Sequence, residues 1–288
     1  MSTRPSPLVQ RRRLRAELRR ARQEAGLTQE SVAEEMDWSL SKIIRIETGS
    51  VGVSTNDLTA LLRLYKIDDP QRVSELVALG KVARQQSWYS KYRGVVPQAY
   101  LQYIEYETSA SIIRSYESIV VPGLLQTKEY ATAITSLYRL DPEPGAVQSR
   151  VEIRMRRQQL LLDRADPPSL FFVLDEAVIS RLIGDVATRH NQISQLISAA
   201  NNPSITIEIV PFSAGLNRGM GENFSILEFS RPSDDDILYY ESVREGIFSH
   251  DDAEEISFYR ELFEDLRKVA LGRKKSLDYL VEIAKTLG

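Results

Sequence analysis

The sequence predicts a two-domain protein, in which an all-α N-terminal domain precedes an α+β domain with a mostly antiparallel sheet. The chain has 288 residues, 42% of them apolar, a length that favours about two domains. Apolar residues recur at helical spacing up to about residue 84, whereas short runs of β-branched and aromatic residues follow residue 169. We therefore predict an N-terminal domain over residues 1–84 and a C-terminal domain over residues 85–288.

Residues 26–49 are predicted to form two short helices joined by a tight turn. Thr28 and Ser39 stand where each helix begins, and their hydroxyl groups can accept hydrogen bonds from the first free N–H groups. Ser54 or Thr55 can begin a third helix, and Asp69 with Pro70 a fourth. The core-facing residues of the first two helices are Val32, Ala33, Met36, Ile43 and Ile46. The polar face of the second helix is left for a partner.

The C-terminal part alternates helical and strand patterns. We predict helices over residues 98–107, 124–138, 146–164, 176–200, 252–271 and 276–287. Strands are predicted over residues 170–174, 205–210, 224–229 and 237–241. The connections between the later strands are short and polar, which favours antiparallel pairing.

The charge of the chain is unevenly distributed. The formal net charge is −3, yet residues 1–25 contain eight arginines against two glutamates, a formal charge of +6. A basic segment beside a helical pair is typical of a protein that neutralises phosphates. The alternative is an ordinary solvated helix face, because clustered charges are often only surface.

Composition and motifs argue against several classes of protein. Cysteine is absent, histidine occurs only twice, and no Walker loop, HExxH or GxSxG motif is present. We therefore predict no enzyme, no catalytic residues, no metal site and no cofactor. No apolar run is long enough for a membrane span or a signal peptide, so we expect no membrane association and a cytoplasmic location.

The motifs GLTQ at 26–29 and RIETG at 45–49, with Ala33 and Ser39 between them, resemble the helix-turn-helix domain of the Xre and phage-repressor family. The resemblance implies binding to a double-stranded DNA operator, with the second helix in the major groove. It also implies an ion pair between Arg22 and Glu47 that holds the helices together. The DNA-binding residues that it implies are Gln29, Ser39, Leu40, Ser41, Lys42 and Arg45.

Among these residues, Leu40, Ser41 and Arg45 are expected at base edges, and Gln29 and Lys42 at phosphates. A guanidinium group can donate two hydrogen bonds to guanine. Leu40 can offer only apolar contact. Arg45 is therefore the strongest candidate for sequence readout, although an arginine at this place can also contact phosphate.

Four motifs of the C-terminal part resemble a domain of unknown function that follows Xre-type domains in regulators of filamentous actinomycetes. They are VPGLLQT at 121–127, RMRRQQLL at 154–161, LDEAVISRLIG at 174–184 and VPFSAG at 210–215. Some of those regulators are classed as antitoxin-like or developmental. The resemblance implies a regulatory or partner-binding role, often beside a small companion protein.

Four residues of the C-terminal part are candidates for binding a ligand or partner: Arg154, Arg157, Asn217 and Arg218. The two helical arginines can equally form a solvated basic face, and the glycine-rich loop around Asn217 can be a plain strand connection. We predict a sequence-specific transcriptional regulator that forms a homodimer and senses a ligand or a small protein. The alternative is an antitoxin-like protein that sequesters a companion protein and regulates its own operon.

Overall fold

The computed structural model describes residues 6–137, 145–221, 223–231, 235–241, 246–249 and 252–287. The chain divides into two compact units between Ser90 and Lys91, and we call them the N-terminal and the C-terminal unit.

The N-terminal unit is entirely helical. Its helices are α1 Pro7–Glu24, α2 Gln29–Glu35, α3 Leu40–Thr48, α4 Thr55–Leu64 and α5 Pro70–Ala83. Each begins after a residue whose side chain accepts a hydrogen bond from the first turn, namely Ser6, Thr28, Ser39, Ser54 and Asp69. Thr28 Oγ1 accepts a hydrogen bond from the backbone N–H of Ser31 at 3.1 Å, and Ser39 Oγ accepts one from the backbone N–H of Lys42 at 3.3 Å. The two predicted N-caps are therefore confirmed.

One apolar core joins the five helices. It includes Leu14, Leu18, Val32, Ile43, Ile46, Leu58, Leu61, Leu62 and Leu76. Gly49 ends α3 with a φ of +76°, a left-handed conformation that glycine adopts without strain. A Cβ atom at Gly49 would also collide with the side chain of Arg15 from α1. Glycine is thus required here by the turn, and any other residue would also force the side chain of Arg15 to move.

The C-terminal unit is an α+β unit. Its helices are α6 Gln98–Glu107, α7 Lys128–Leu137, α8 Ala146–Leu162, α9 Glu176–Ser180, α10 Val186–Ala200, α11 Ala253–Val269 and α12 Gly272–Leu287. Its strands are β1 Ile112–Glu117, β2 Ser169–Asp175, β3 Ile205–Val210, β4 Phe224–Glu228, β5 Ile237–Glu241 and β6 Gly246–Ser249. The end of the predicted helix 124–138 lies outside the described residues.

The sheet has the strand order β3-β2-β1-β4-β5-β6 and is mixed. The β1–β2 and β2–β3 pairs are parallel, whereas β1–β4, β4–β5 and β5–β6 are antiparallel. The prediction of a mostly antiparallel sheet was wrong because helices connect β1 to β2 and β2 to β3 and return the chain to the same edge. Strand β1 was missed because Arg114 and Ser115 interrupt its apolar pattern.

The two faces of the sheet are covered by different helices. On one face, α11 packs through Tyr259, whose ring stacks on Tyr240 at a centroid distance of 6.1 Å. Neighbouring residues of a strand face opposite sides, so Tyr239 points to the other face. There it stacks on Tyr103 of α6 at 4.2 Å. This second face holds the polar cavity described below.

The helix predicted over 176–200 is two helices. Helix α9 ends at Ser180, and α10 begins after Asp185, whose carboxylate accepts the amide of Thr188 at 2.7 Å. Gly184 precedes this cap with a φ of +74°, which breaks the helical path.

Candidate functional site

Helix α3 presents one face to the core and one to solvent. Ile43 and Ile46 point inward, and Ile43 is only 1% exposed. Leu40 and Ile44 stand four residues apart on the other face, where they are 37% and 38% exposed. Exposed Ser41 and Arg45 complete this outward face. We call Leu40, Ser41, Ile44 and Arg45 the recognition face.

Arg45 is the one cation of the recognition face. Its backbone carbonyl accepts hydrogen bonds from Val51 and Thr48, which hold the turn after α3. Its guanidinium group has no hydrogen-bond or ion-pair partner among the residues that the structure describes. The five N–H donors of that group are therefore available to an external acceptor.

Two residues expected at phosphates have partners within the unit. Lys42 Nζ lies 3.2 Å from a carboxylate oxygen of Asp57 and 3.3 Å from the centroid of the Trp38 ring. Gln29 Nε2 donates to Glu47 Oε2 at 2.8 Å. Lys42 thus links α3 to α4, whereas Gln29 links α2 to α3. Contact of the two side chains with DNA stays a prediction.

Arg22 and Glu47 form a largely buried ion pair between α1 and α3. Arg22 Nε donates to Glu47 Oε1 at 2.6 Å, and Arg22 Nη2 donates to Glu47 Oε2 at 3.1 Å. Arg22 Nη1 also donates to the carbonyl of Leu27 at 2.8 Å. The hydrogen bond with Glu47 raises the pKa of Arg22 above its ordinary value.

The predicted basic segment forms most of α1. Arg11 Nη2 donates to the carbonyl of Ala83 at 3.0 Å, and Arg15 Nη1 donates to the carbonyl of Thr48. These two arginines bind α1 to α5 and to the C-terminal end of α3, where a cation is favourable. Residues 1–5 lie outside the described residues.

In the C-terminal unit, two of the sequence motifs contact each other. Arg154 Nη1 donates to Gln126 Oε1 at 2.6 Å. Gln158 Nε2 donates to the carbonyls of Gly123 and Gln126 at 2.8 and 2.9 Å. The segment 121–127 therefore folds against α8, and these contacts are the physical reason for polar residues in both motifs.

Arg157 forms a fully buried ion pair with Glu107 of α6. Its Nε and Nη2 atoms lie 2.5 and 2.6 Å from the two carboxylate oxygens. Its Nη1 donates to the hydroxyl of Tyr100 at 3.2 Å. Burial lowers the pKa of Arg157, but the charge and hydrogen bonds of Glu107, together with Tyr100 and Tyr103, outweigh burial and raise this pKa well above its ordinary value. Arg157 is thus neutralised within the unit.

A polar cavity of about 90 Å³ lies between α6, α8 and the sheet. Its polar lining includes Tyr100, Glu117, Gln126, Arg154, Arg157 and Asn223. Two of the four predicted ligand residues, Arg154 and Arg157, are therefore brought together.

Asn217 and Arg218 do not line this cavity. Asn217 Oδ1 accepts a hydrogen bond from the backbone N–H of Gly219 at 3.0 Å, and this bond fixes the turn at residues 217–219. Arg218 Nη1 lies 2.6 Å from Asp265 Oδ2 of α11, and its guanidinium group lies 5.2 Å from the ring centroid of Phe258. A ligand role for these two residues stays a prediction.

Sequence reasoning missed two residues of these sites. Ile44 was not assigned to the recognition face because an apolar residue in a helix is usually assigned to the core. Its position four residues after Leu40 was the available signal. Gly123 lies in the motif 121–127 but was not assigned to a site, whereas a Cβ atom there would lie 3.1 Å from Arg157 Nη1. That close approach depends on packing between distant segments.

Two kinds of feature are absent from the described residues. No helix among them is both long and apolar enough to cross a membrane. No group of three or more histidine, cysteine, aspartate or glutamate side chains suited to a metal ion occurs within the same ranges.

Comparison with known families assigns both units. Residues 13–76 match a helix-turn-helix domain, and residues 100–282 match DUF5753, a domain of unknown function. The predicted combination of these two kinds of domain is confirmed. No curated protein and no solved structure matched the chain. A helix-turn-helix domain is typical of a DNA-binding regulator and not of an enzyme. Since the second match spans more than half of the chain, the protein belongs to the DUF5753 family and carries an N-terminal helix-turn-helix domain.

Proposed function

We propose that the protein is a cytoplasmic, sequence-specific transcriptional regulator that reads its operator with the recognition face of α3. The observation that carries this proposal is the outward face of a capped helix, on which Arg45 has no partner among the described residues. Two exposed apolar side chains, Leu40 and Ile44, lie on the same face. No catalytic role is part of the proposal.

Each residue of the recognition face matches a feature of base pairs in the major groove. The guanidinium group of Arg45 can donate hydrogen bonds to O6 and N7 of guanine. Such a bidentate contact favours guanine over another base by about 1–3 kcal/mol. Leu40 and Ile44 can contact thymine methyl groups, whereas Ser41 can donate or accept. Ser39, Gln29 and Lys42 would lie beside the phosphates, with the N-terminal amides of α3 favouring a negative charge.

We further propose that the regulator binds as a homodimer and that the C-terminal unit dimerises and senses a ligand or small protein. One helix-turn-helix reads only a few base pairs, whereas two related by a two-fold axis bind half-sites about 34 Å apart. The polar cavity with Arg154 supports ligand sensing.

A selection from a random pool of DNA duplexes tests the proposal. The full chain should enrich one near-palindromic sequence with half-sites separated by about one helical turn. The mass of the purified complex should correspond to two chains for each site. If no sequence is enriched, sequence-specific binding by the chain alone is wrong. If one chain occupies each site, the homodimer is wrong.

A second candidate function is supported by exposed apolar side chains in the loops after β1, β2 and β3. Because these parallel strands end at one edge of the sheet, their loops leave from the same edge. The side chains are Ile119 after β1, Leu182 in the loop that follows β2 and the short helix α9, and Phe212, Leu216 and Met220 after β3. Groups of exposed apolar residues mark protein-binding surfaces. They support an antitoxin-like protein that sequesters a small companion protein and regulates its own operon.

Coexpression with a candidate companion protein tests this alternative. A stoichiometric complex should form with the wild type and should be lost when exposed Leu216 is changed to Asp. Changing exposed Arg63 of the N-terminal unit to Asp is the matched control and should leave the complex intact. A complex that survives Leu216→Asp would show that this surface is not the binding site.

A further inference from the structure

The polar cavity contains one arginine that has no acidic partner among the described residues. Among the described residues, the only hydrogen bond of the Arg154 side chain joins Nη1 to Gln126 Oε1 at 2.6 Å. Its Nε atom is buried and has no acceptor. A buried donor without an acceptor is costly, and native proteins usually satisfy it with a protein group, water or a ligand. The Nε–Nη2 edge of Arg154 therefore lacks an acceptor within the described parts of the chain.

The second arginine of the cavity differs in this respect. Arg157 is bound at Nε and Nη2 by Glu107, so that its charge is already balanced. Gly123 lies against both arginines, because a Cβ atom there would lie 3.1 Å from Arg157 Nη1 and 3.8 Å from Arg154 Nε. The glycine leaves room for the two guanidinium groups. Arg154 is thus the cation of this cavity that remains for a ligand.

We propose that the cavity binds a small carboxylate through the Nε–Nη2 edge of Arg154. This inference rests on the ligand-sensing part of the proposed function and names the class of ligand. A planar guanidinium edge and a carboxylate form two parallel hydrogen bonds, which are strong and directional. Gln126 fixes Nη1, so the remaining edge is already oriented before the ligand arrives.

The size and charge of the cavity restrict the ligand. A volume of about 90 Å³ admits a molecule of a few heavy atoms, since one water needs roughly 10–15 Å³ by the same kind of measure. The carboxyl group of Glu117 also lines the cavity. Its negative charge opposes a doubly charged anion such as phosphate more strongly than a singly charged carboxylate.

The test follows the Arg154 Nε–H resonance in ¹⁵N-labelled full-length protein, assigned by its absence in Arg154→Gln. Sodium acetate is titrated at constant ionic strength, with chloride as the replaced anion and sodium phosphate as a parallel titration. We expect acetate to shift this resonance saturably and phosphate to leave it unchanged. Acetate should also raise the Tm of the wild type and of Arg156→Gln, a control at an exposed position of the same helix, but not that of Arg154→Gln.

Three results would overturn the proposal: an unshifted Nε–H resonance, an equal rise in Tm for wild type and Arg154→Gln, or a shift with phosphate and none with acetate. If Arg154→Gln folds poorly, Arg154→Lys, which keeps the positive charge but lacks the Nε–H group, provides the assignment of the wild-type resonance instead. DNA is absent from these measurements. Failure of the carboxylate site would therefore leave DNA reading intact, and failure of operator selection would leave this site intact.

Discussion

Arg22 in the last turn of α1 and Glu47 near the end of α3 are joined by two hydrogen bonds of 2.6 and 3.1 Å. Gln29 at the start of α2 donates to the same carboxylate at 2.8 Å. One carboxylate thus connects the three helices of the candidate DNA-binding site. It fixes the orientation of α3 relative to α1 and α2, and with it the direction of the recognition face.

Changing Arg22 to Met should destabilise the N-terminal unit by about 2–3 kcal/mol, because the Glu47 carboxylate is left without its cation in a largely buried position. Both tryptophans, Trp38 and Trp88, lie in this unit, so tryptophan fluorescence during urea unfolding reports on it. The control is exposed Arg63→Met, which should change the free energy of unfolding by less than about 0.5 kcal/mol. Equal effects of the two changes would contradict a structural role for the pair.

Changing Gly123 to Ala should destabilise the C-terminal unit by about 1–3 kcal/mol, because the added methyl group overpacks the site beside Arg157 Nη1. Calorimetric unfolding of the full chain measures the loss. Gly221→Ala is the matched control, because its Cβ atom would meet nothing within 4 Å and its φ is −83°. A Gly123→Ala protein as stable as this control would show that the close approach is not required.

We expect the N-terminal unit to lose stability at alkaline pH because Tyr65 is buried. Burial, followed by the nearby charge of Glu47, raises the pKa of its phenol to about 12. The unfolded chain loses this proton near pH 10, so the contribution of Tyr65 is fully present below about pH 10 and is lost as the pH rises towards the folded value. Urea unfolding, followed by tryptophan fluorescence at pH values of about 9 and 11, measures the free energy of unfolding. This free energy should fall less between the two pH values for Tyr65→Phe than for the wild type. The same fall in both proteins would exclude Tyr65 as its source.

The local features of the N-terminal unit could be predicted from the sequence. Thr28 and Ser39 are caps because a hydroxyl before an apolar helical pattern meets the first free amides. Ile44 shows the limit of such reasoning, since an apolar side chain on a solvent-facing position matches no core pattern. The role of this side chain depends on the partner that it contacts and not on the local sequence.

The C-terminal unit was predictable in class but not in topology. The antiparallel connections of β4 and β5 are local, whereas the parallel pairing of β1 with β2 depends on where α7 and α8 return the chain. The polar cavity was missed for a similar reason. Gln126 and Arg154 are far apart in the sequence, and only the packed structure brings them within 2.6 Å.

The apolar part of the recognition face predicts contacts with thymine methyl groups. In the operator obtained by selection, each thymine is replaced in turn by uracil, which lacks the C5 methyl group. At one or more positions the Kd should rise roughly fourfold, corresponding to about 0.8 kcal/mol for one buried methyl group. Leu40→Ala or Ile44→Ala should abolish that rise, whereas uracil in the flanking DNA serves as the control. An operator insensitive to uracil at every position would contradict these contacts.

The ratio of Kd values for the selected operator and a scrambled duplex most directly tests the central claim that Arg45 reads a base. Removing the guanidinium group in Arg45→Ala should reduce this ratio by about fivefold to 150-fold, corresponding to about 1–3 kcal/mol of lost discrimination. Exposed Arg63→Ala is the matched control and should leave the ratio unchanged. Arg45→Ala could instead weaken binding to both duplexes equally and reduce the slope of log K against log salt concentration by about 1, the value for one phosphate contact. Arg45 would then bind the DNA backbone, and the claim would be wrong.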